Sequence, residues 1–444
     1  MATPNDHRGV AILTPGRRVA LEVLRAVRSG DLADRAMDRL GSRLPSRDFG
    51  WTLELAYGTL RLRGRLDHIL TRLVRAGLES LEPDVLDVLR LGAYQLLEMS
   101  SVPSYAAISQ SVELVRSAGV GRASGLVNGV LHGLQRGGSD FGFPDPDADP
   151  VGFLTSWGSH PRWLVERWLR RWGMEATRTL VEANNARPEL FLRPVGISVA
   201  DAVARLNEAG LGAEPVPFAP DSLRLLPPAT ALQALALVPA VVQDPAAALV
   251  VRYAAAPEGA VVLDLCAAPG GKAVGVAAGG AFVAAADLSP RRLGRLRQNV
   301  RRLGFIERVW SVAADARHPP FAPSDFVLLD APCTGTGTIR RHPDGRWRIG
   351  PEEVSGLADL QREILDAATA LVRPGGVLVY STCSLEPEEN EEQVRAFLER
   401  HPGFARATAD VVDPGLLDAD GQLLVLPQRD GVDGAFAARL RRVD

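Results

Sequence analysis

VVLDLCAAPGGK, residues 261–272, decides how the second half of this chain is read. A short, unbroken apolar run ends in Asp264, and small residues then carry the chain through two glycines towards a helix. Such a run suits a strand buried on both faces of a parallel sheet. Small side chains after it let a ligand approach the backbone and the N-terminus of the next helix. The loop is not a phosphate-binding P-loop, because Cys266 stands where glycine is needed and Ala273 where serine or threonine is needed. The GxGxxG dinucleotide fingerprint is missing as well.

Working outward, AFVAAAD (281–287), VWSVAAD (309–315), DFVLLD (325–330) and VLVYSTC (377–383) repeat the pattern, with helical stretches between them. That alternation predicts a doubly wound α/β domain. Asp264, Asp287, Asp315 and Asp330 each close a predicted strand. Together they would line the carboxyl edge of the sheet, where open α/β folds bind ligands. Aspartate after a strand is also a common turn or cap residue, which is the ordinary reading for any one of them alone. Four of them beside a glycine loop favour a nucleoside ligand without a polyphosphate, which points to S-adenosylmethionine. Asp287, 23 residues beyond Asp264, is placed to accept from ribose hydroxyls.

The chain has three cysteines, and all lie in these loops. Cys333 follows the fourth strand and Cys383 the fifth, so adjacent strands would hang both thiols over one cleft. A lone cysteine is usually a small buried hydrophobe, and Cys266 is read as loop packing. A Cys–His hydrolase would need a nearby imidazole, and only His342 is close to a motif. A zinc site would need closer ligand spacing. A thiol pair beside a methyl donor has a more specific use. Carbon 5 of cytosine is a poor nucleophile, and thiolate addition at carbon 6 makes it enamine-like. A carboxyl at cytosine N3, which Asp330 could offer if it carries a proton, would stabilise the adduct.

Arg340, Arg341, His342, Arg346, Trp347 and Arg348 follow Cys333, and cations with an aromatic suit an RNA backbone and a splayed base. Arg291, Arg292, Arg295, Arg297, Arg301 and Arg302 follow Asp287; a solvated helix face is an equal reading for the distal ones.

Before residue 140 the texture is helical. Thr14-Pro15 resembles an N-cap with proline at the first helical position. Helical runs are expected near 19–27 and over 50–77, 84–98, 104–118 and 122–135. This stretch carries 18 basic and 15 acidic residues. GGSDFGFPDPDADP (137–150) is a linker by composition, and the tryptophan-rich block 155–185 reads as helices joining one domain to another. Residues 190–240 show a possible βαβ pattern with many prolines and no fold that can be resolved. The expected domains are 1–140, all-α; 141–240, a linker and small connecting subdomain; and 241–444, the α/β domain.

The whole chain of 444 residues is 46% hydrophobic and 23% charged, with a formal net charge of −3. That composition excludes a disordered or collagenous chain and a uniformly basic nucleic-acid coat. Lys272 is the only lysine. The opening MATPNDHRGV lacks signal-peptide features and no apolar run is long enough for a membrane span, so a cytoplasmic location, no membrane and no metal are expected.

These motifs closely resemble the bacterial Sun/Fmu (RsmB) family of 16S rRNA cytosine-5 methyltransferases. LDLCAAPGGK (263–272), DAPCTGTGTIRRHPDGRW (330–347) and YSTCSLEPEENE (380–391) are similar to its donor loop and its motifs IV and VI. AYGTLR (56–61), LRLGAYQLL (89–97), VPSYAAISQSVELVRSAG (102–119) and LVNGVL (126–131) resemble its NusB-like helical RNA-binding domain, and HPRWLVERW (160–168) its connector. The resemblance implies an all-α NusB-like N-terminal domain followed by a Rossmann-like S-adenosylmethionine-dependent methyltransferase domain. Its sheet would have seven strands, the last, near 434–441, antiparallel. By the same resemblance Cys383 would be the nucleophile and Cys333 would assist product release. Cys266, Ala267, Ala268, Pro269, Gly270, Gly271, Lys272, Asp287, Asp315 and Asp330 would contact S-adenosylmethionine, with Arg292 a further candidate. Asp330 would also face the base. RNA, 16S rRNA above all, is the expected partner of a monomer.

Departures are Asp433-Gly434-Ala435-Phe436 for the family's DGFF, LVNGVLHGL for VNAVLR, a short span from Lys272 to Asp287, and Leu192-Arg193-Pro194-Val195 for RVN. Three rivals stand beside this reading. A DNA cytosine-5 methyltransferase would use the Pro332-Cys333 thiol. A non-catalytic antitermination-type protein would use only the helical domain. A tRNA cytosine-5 methyltransferase would share the chemistry.

Overall fold

The computed structural model describes residues 13–138 and 140–444, and MATPNDHRGV lies outside them. The chain forms two compact units, the first running to Ala186 and including His342–Arg348, the second comprising Arg187–Arg341 and Ile349–Asp444.

The first unit is helical: α1 (Pro15–Arg28), α2 (Ala33–Gly41), α3 (Ser46–Arg61), α4 (Arg63–Thr71), α5 (Pro83–Glu98), α6 (Ser104–Ser117), α7 (Ser124–Arg136), α8 (Pro150–Ser156) and α9 (Arg162–Asn185), the last broken at Gly173. Val19, Ala20, Val23 and Leu24 on α1 pack with Leu55, Leu66, Leu70 and Leu89 in one core. Burying each such leucine contributes about 1.5–3 kcal/mol. The stretch 50–77 is not one helix, because the backbone leaves helical geometry at Leu62. Thr14 precedes α1, but its side chain caps no backbone N–H; its hydroxyl instead accepts from Arg17 Nη1 at 2.9 Å. Helices α3 and α5 approach so closely that a Cβ on Gly58 would collide with the Tyr94 ring.

The second unit opens with the segment that the sequence left unresolved. There β1 (Leu190–Pro194), α10 (Val199–Glu208), β2 (Ala213–Pro215), β3 (Leu223–Leu225), α11 (Ala231–Leu237) and β4 (Ala240–Val242) form an antiparallel sheet of order β2-β3-β1-β4. Three-residue strands leave too little periodicity to read from sequence.

After α12 (Pro245–Ala254), capped by Asp244, comes the larger sheet. Its elements are β5 (Val261–Asp264), α13 (Gly271–Ala278), β6 (Phe282–Asp287), α14 (Pro290–Leu303), β7 (Val309–Ala313), β8 (Ser324–Asp330), α15 (Gly345–Arg348, within the first unit), α16 (Pro351–Ala368), β9 (Val372–Thr382), α17 (Glu391–Arg400), β10 (Phe404–Ala407), β11 (Leu423–Val425), α18 (Pro427–Asp430) and β12 (Ala435–Arg442). The sheet has eight strands rather than the seven expected, in the order β10-β12-β9-β8-β5-β6-β7, with the short β11 added beside β12. Strands β5 to β9 run parallel, and β12 pairs antiparallel with β9. The expected antiparallel last strand is therefore present at Ala435–Arg442. The chain moves outward from β5 to β7 and then crosses to β8 on the other side. That reversal splays the loops after β5 and β8 and opens a cleft at their carboxyl ends. No helix among the described residues is long and apolar enough to cross a membrane.

Candidate active site

The donor-loop candidates gather at that switch point. Gly270, at φ +103°, turns the chain into α13, and a Cβ there would also press on Leu296. A cleft of about 290 Å³ is lined by Asp264, Cys266, Ala267, Ala268, Pro269, Gly271, Lys272 and Asp330, and also by Phe191, Val242–Asp244, Ala247, Arg341 and Asp433. Burial pushes the Cys266 thiol well above its usual range, so it remains protonated packing.

Lys272 Nζ donates to Asp330 Oδ2 at 2.8 Å, and Ser381 Oγ donates to Asp330 Oδ1 at 2.9 Å. Burial works against the Lys272 charge, yet the Asp330 carboxylate outweighs it and raises the ammonium's pKa. Asp330 is therefore an acceptor on both oxygens here, whereas donation to a base N3 would need a hydrogen on one. Asp264 is fully buried, and neither carboxylate oxygen has a hydrogen-bond partner. Burial, reinforced by the Asp330 charge, pushes its carboxyl up to about 8.

Asp287 ends β6 almost fully buried. Its Oδ2 accepts from Ala268 N at 3.2 Å and its Oδ1 from Ser289 N at 2.9 Å, and Arg292 Nη1 lies 3.4 Å from Oδ2. Arg292 also donates through Nη2 to Ala268 O, so it braces the loop from outside. Asp315 differs from the other strand-end acids. It lies two residues beyond β7, and Arg317 holds its carboxyl down at about 2 through paired hydrogen bonds. Asp264 and Asp330 line the cleft, whereas Asp315 and Asp287 are not among its lining residues.

The two thiols meet. Cys333 Sγ and Cys383 Sγ lie 3.4 Å apart, and Cys383 N donates to Cys333 Sγ at 3.4 Å. No disulfide joins them. The hydrogen bond with Cys383, followed by burial, holds the Cys333 thiol well above the ordinary cysteine range. Behind them lies a buried network that sequence reasoning missed. Glu389 Oε1 accepts from Thr334 N at 2.9 Å and from Gln361 Nε2 at 3.0 Å, and Glu389 Oε2 accepts from Thr334 Oγ1 and Ser384 Oγ. Gln361 Nε2 also donates to Pro332 O at 2.8 Å, and Asn390 Nδ2 to Ser384 O at 2.9 Å. Glu389 and Asn390 thus tie the loop after β8 to the loop after β9, which brings the sulfurs together. Their only trace in the sequence is the acidic run that follows Cys383, which reads equally well as a solvated helix start.

The basic cluster after Cys333 does not form the expected RNA-facing patch. Arg346 is fully buried, donating to Arg61 O, Ser159 O, Asn184 O and Asn185 Oδ1 inside the helical unit. Trp347 spends its indole N–H on Leu60 O at 2.7 Å, and Arg348 Nε bonds Asp344 Oδ2 at 3.0 Å. His342 Nδ1 lies 2.8 Å from Asp34 Oδ2. In the second unit Arg341 pairs with Asp244 and with Asp433 Oδ2 at 2.7 Å, and Arg340 Nη2 is 3.6 Å from Asp433 Oδ1. A sequence shows that arginines cluster, but only the fold shows which carboxylates and carbonyls already occupy them.

The donor set fits S-adenosylmethionine. Asp264 offers oxygens with no side-chain partner to a ligand's hydrogen-bond donors, the Asp330 carboxylate in the same cleft suits a ligand carrying positive charge, and each Asp287 oxygen keeps a second lone pair for a hydroxyl donor.

A family model described as 16S rRNA methyltransferase RsmB/F matches residues 252–441. The NusB family matches residues 14–136, and a ferredoxin-like domain of RsmF/B-like methyltransferases matches residues 160–231. Ribosomal RNA small subunit methyltransferase B of Salmonella agona (strain SL483) is 36% identical, covering 95% of this chain and 97% of that protein. Putative methyltransferase Rv1407 of Mycobacterium tuberculosis (strain ATCC 25618 / H37Rv) is 37% identical, with 97% of each covered. Among solved structures, PH0851 superposes with a TM-score of 0.78 at 27% identity, covering 96% of this chain and 98% of that one.

Proposed function

The chain belongs to the RsmB/F family of 16S rRNA methyltransferases, and from that premise we propose that it methylates carbon 5 of a cytosine in 16S rRNA through a covalent adduct to Cys383. The methyl donor of the family's chemistry is S-adenosylmethionine, which supplies an electrophilic methyl group when bound. The observation that carries the reading is the 3.4 Å Cys333–Cys383 pair at the ends of adjacent parallel strands, beside the Lys272–Asp330 ion pair. Methylation of an amine or a hydroxyl would give such a thiol pair nothing to do.

Cys383, as thiolate, forms a bond to carbon 6 of the cytosine and pushes electron density onto carbon 5, which takes the methyl group. Lys272 and Asp330 hold charge against the ring as it changes. Cys333 then helps to release the product. While Cys383 is a thiolate, its hydrogen bond and its charge keep the proton on Cys333. As the sulfur–carbon 6 bond breaks, Cys333 passes its thiol proton to the departing Cys383 sulfur, 3.4 Å away, and takes the carbon-5 proton in its place, so that both cysteines end as thiols. Asp287 is assigned to the donor's ribose, and the small residues from Ala267 to Gly271 to close backbone approach.

The test uses purified protein, 16S rRNA and labelled S-adenosylmethionine, read on a denaturing gel. Cys333→Ala is expected to accumulate a protein–RNA adduct and Cys383→Ala to form none. The reverse pattern would make Cys333 the nucleophile, as in the DNA-type chemistry. Absence of both adduct and methylation on 16S rRNA, with methylation of tRNA, would move the substrate assignment.

A further inference from the structure

A second cavity, of about 500 Å³, lies in the second unit away from the thiols and the donor loop, between the turn from β1 to α10, helix α12 and the end of α13. One of its lining side chains is Arg193, only 8% exposed. Among the described residues its Nη1 has no hydrogen-bond partner, and Asp221 is the carboxylate whose charge acts on the guanidinium. The group is fitted into place rather than loosely folded in, since a Cβ on Gly275 would collide with Nη1. A buried guanidinium with an N–H edge left unpaired is costly, and structures retain one where something else supplies the missing acceptor.

The rest of the wall points to an anion. Arg252 lines the same cavity, and its Nη1 lies 3.3 Å from Asp221 Oδ2 while its Nε donates to Val411 O at 2.6 Å. Among the residues that line the cavity, two guanidiniums face the single carboxylate of Asp221. The N-terminus of the ten-residue helix α10, capped by Ser198, opens on the same space, and the Asp201 carboxylate in its first turn, which accepts from Ser198 Oγ at 2.7 Å, offsets part of its dipole.

We propose that Arg193, Arg252 and the N-terminus of α10 form a phosphate-binding site that holds a backbone phosphodiester of the RNA substrate. The source of the phosphate rests on the RNA-methylating reading above; the anion site itself does not. Guanidinium N–H groups are well matched to phosphate oxygens. A contact of this kind fixes the register of the strand on the protein without reading its sequence.

Two measurements on the full-length protein test this. In the first, inorganic phosphate is titrated against chloride at constant ionic strength while thermal unfolding is followed. A saturable rise in melting temperature is expected for the wild type. It should be absent in Arg193→Met, which should itself melt no lower than wild type without phosphate. Ala278→Glu, an exposed change at the cavity rim that sets a carboxylate against the anion, should weaken the rise without needing the buried site to repack. In the second, the salt dependence of RNA binding is measured, and Arg193→Met should reduce the slope of log K against log salt by about 0.7, the value for one phosphate on a single strand. Equal phosphate response in wild type and both variants overturns the site. A phosphate response with an unchanged RNA slope makes it a site for the free ion and overturns the RNA assignment. A phosphate response in a protein that methylates no RNA leaves the site standing and removes the functional reading instead.

Discussion

Lys272 Nζ lies 2.8 Å from Asp330 Oδ2, so the only lysine in the chain is spent on one carboxylate at the mouth of the switch-point cleft. Lys272 stands in the first turn of α13 and Asp330 ends β8, and their pairing sets the charge at the cleft.

Removing either partner leaves the other half-buried without its counter-charge, at a cost of about 1.5–3 kcal/mol. Lys272→Met and Asp330→Leu are each expected to lower the urea midpoint and to abolish most methylation. The double variant should be more stable than the sum of the single effects predicts. Strict additivity in the double-mutant cycle would show that the pair does not interact.

Asp264 gives a stability trend of unusual sign. With its carboxyl pushed up to about 8, the folded protein holds a proton there that the unfolded chain releases in the ordinary carboxylate range. Stability from this group is therefore lost as pH rises from about 4 to about 8 and is level above that. Asp264→Asn keeps the shape and removes the titration. Urea midpoints should depend less steeply on pH in the variant, which should gain on wild type towards the alkaline end. Parallel pH profiles would disprove the raised value.

Asp287→Ala should weaken S-adenosylmethionine binding by tenfold or more in calorimetry, since a hydrogen bond to a charged acceptor contributes about 1.5–3 kcal/mol. Because Asp287 also orders Ala268 N and Ser289 N, thermal stability should fall as well. Undiminished affinity would remove the ribose assignment.

Glu389→Gln tests whether the thiols are positioned from behind. The carboxylate accepts from three groups on the two cysteine loops and from Gln361 on α16, and an amide can replace only one of its two oxygens. Adduct formation by the Cys333→Ala protein should slow in this background while donor affinity is kept. An unchanged adduct rate would reduce Glu389 to a packing role.

The sequence alone was enough for the α/β half, because strands buried on both faces leave continuous apolar runs, and each run ended where β5, β6, β8 and β9 end to within a residue or two. It also showed which loops follow which strands, and so put Lys272, Asp330, Cys333 and Cys383 at one sheet edge before any coordinates. Short elements escaped it: the three-residue strands β2, β3 and β4 carry no period, and the break at Leu62 is a local backbone departure inside an unbroken apolar pattern. Pairing escaped it too. That Arg346 is consumed by four carbonyl-type acceptors, that Arg193 has none at Nη1, and that Glu389 rather than a solvated carboxylate stands behind the cysteines are facts about neighbours hundreds or tens of residues away. Periodicity and loop chemistry are local and survive in one dimension, whereas the protonation and availability of a charged group depend on the low-dielectric surroundings that only the folded chain assembles.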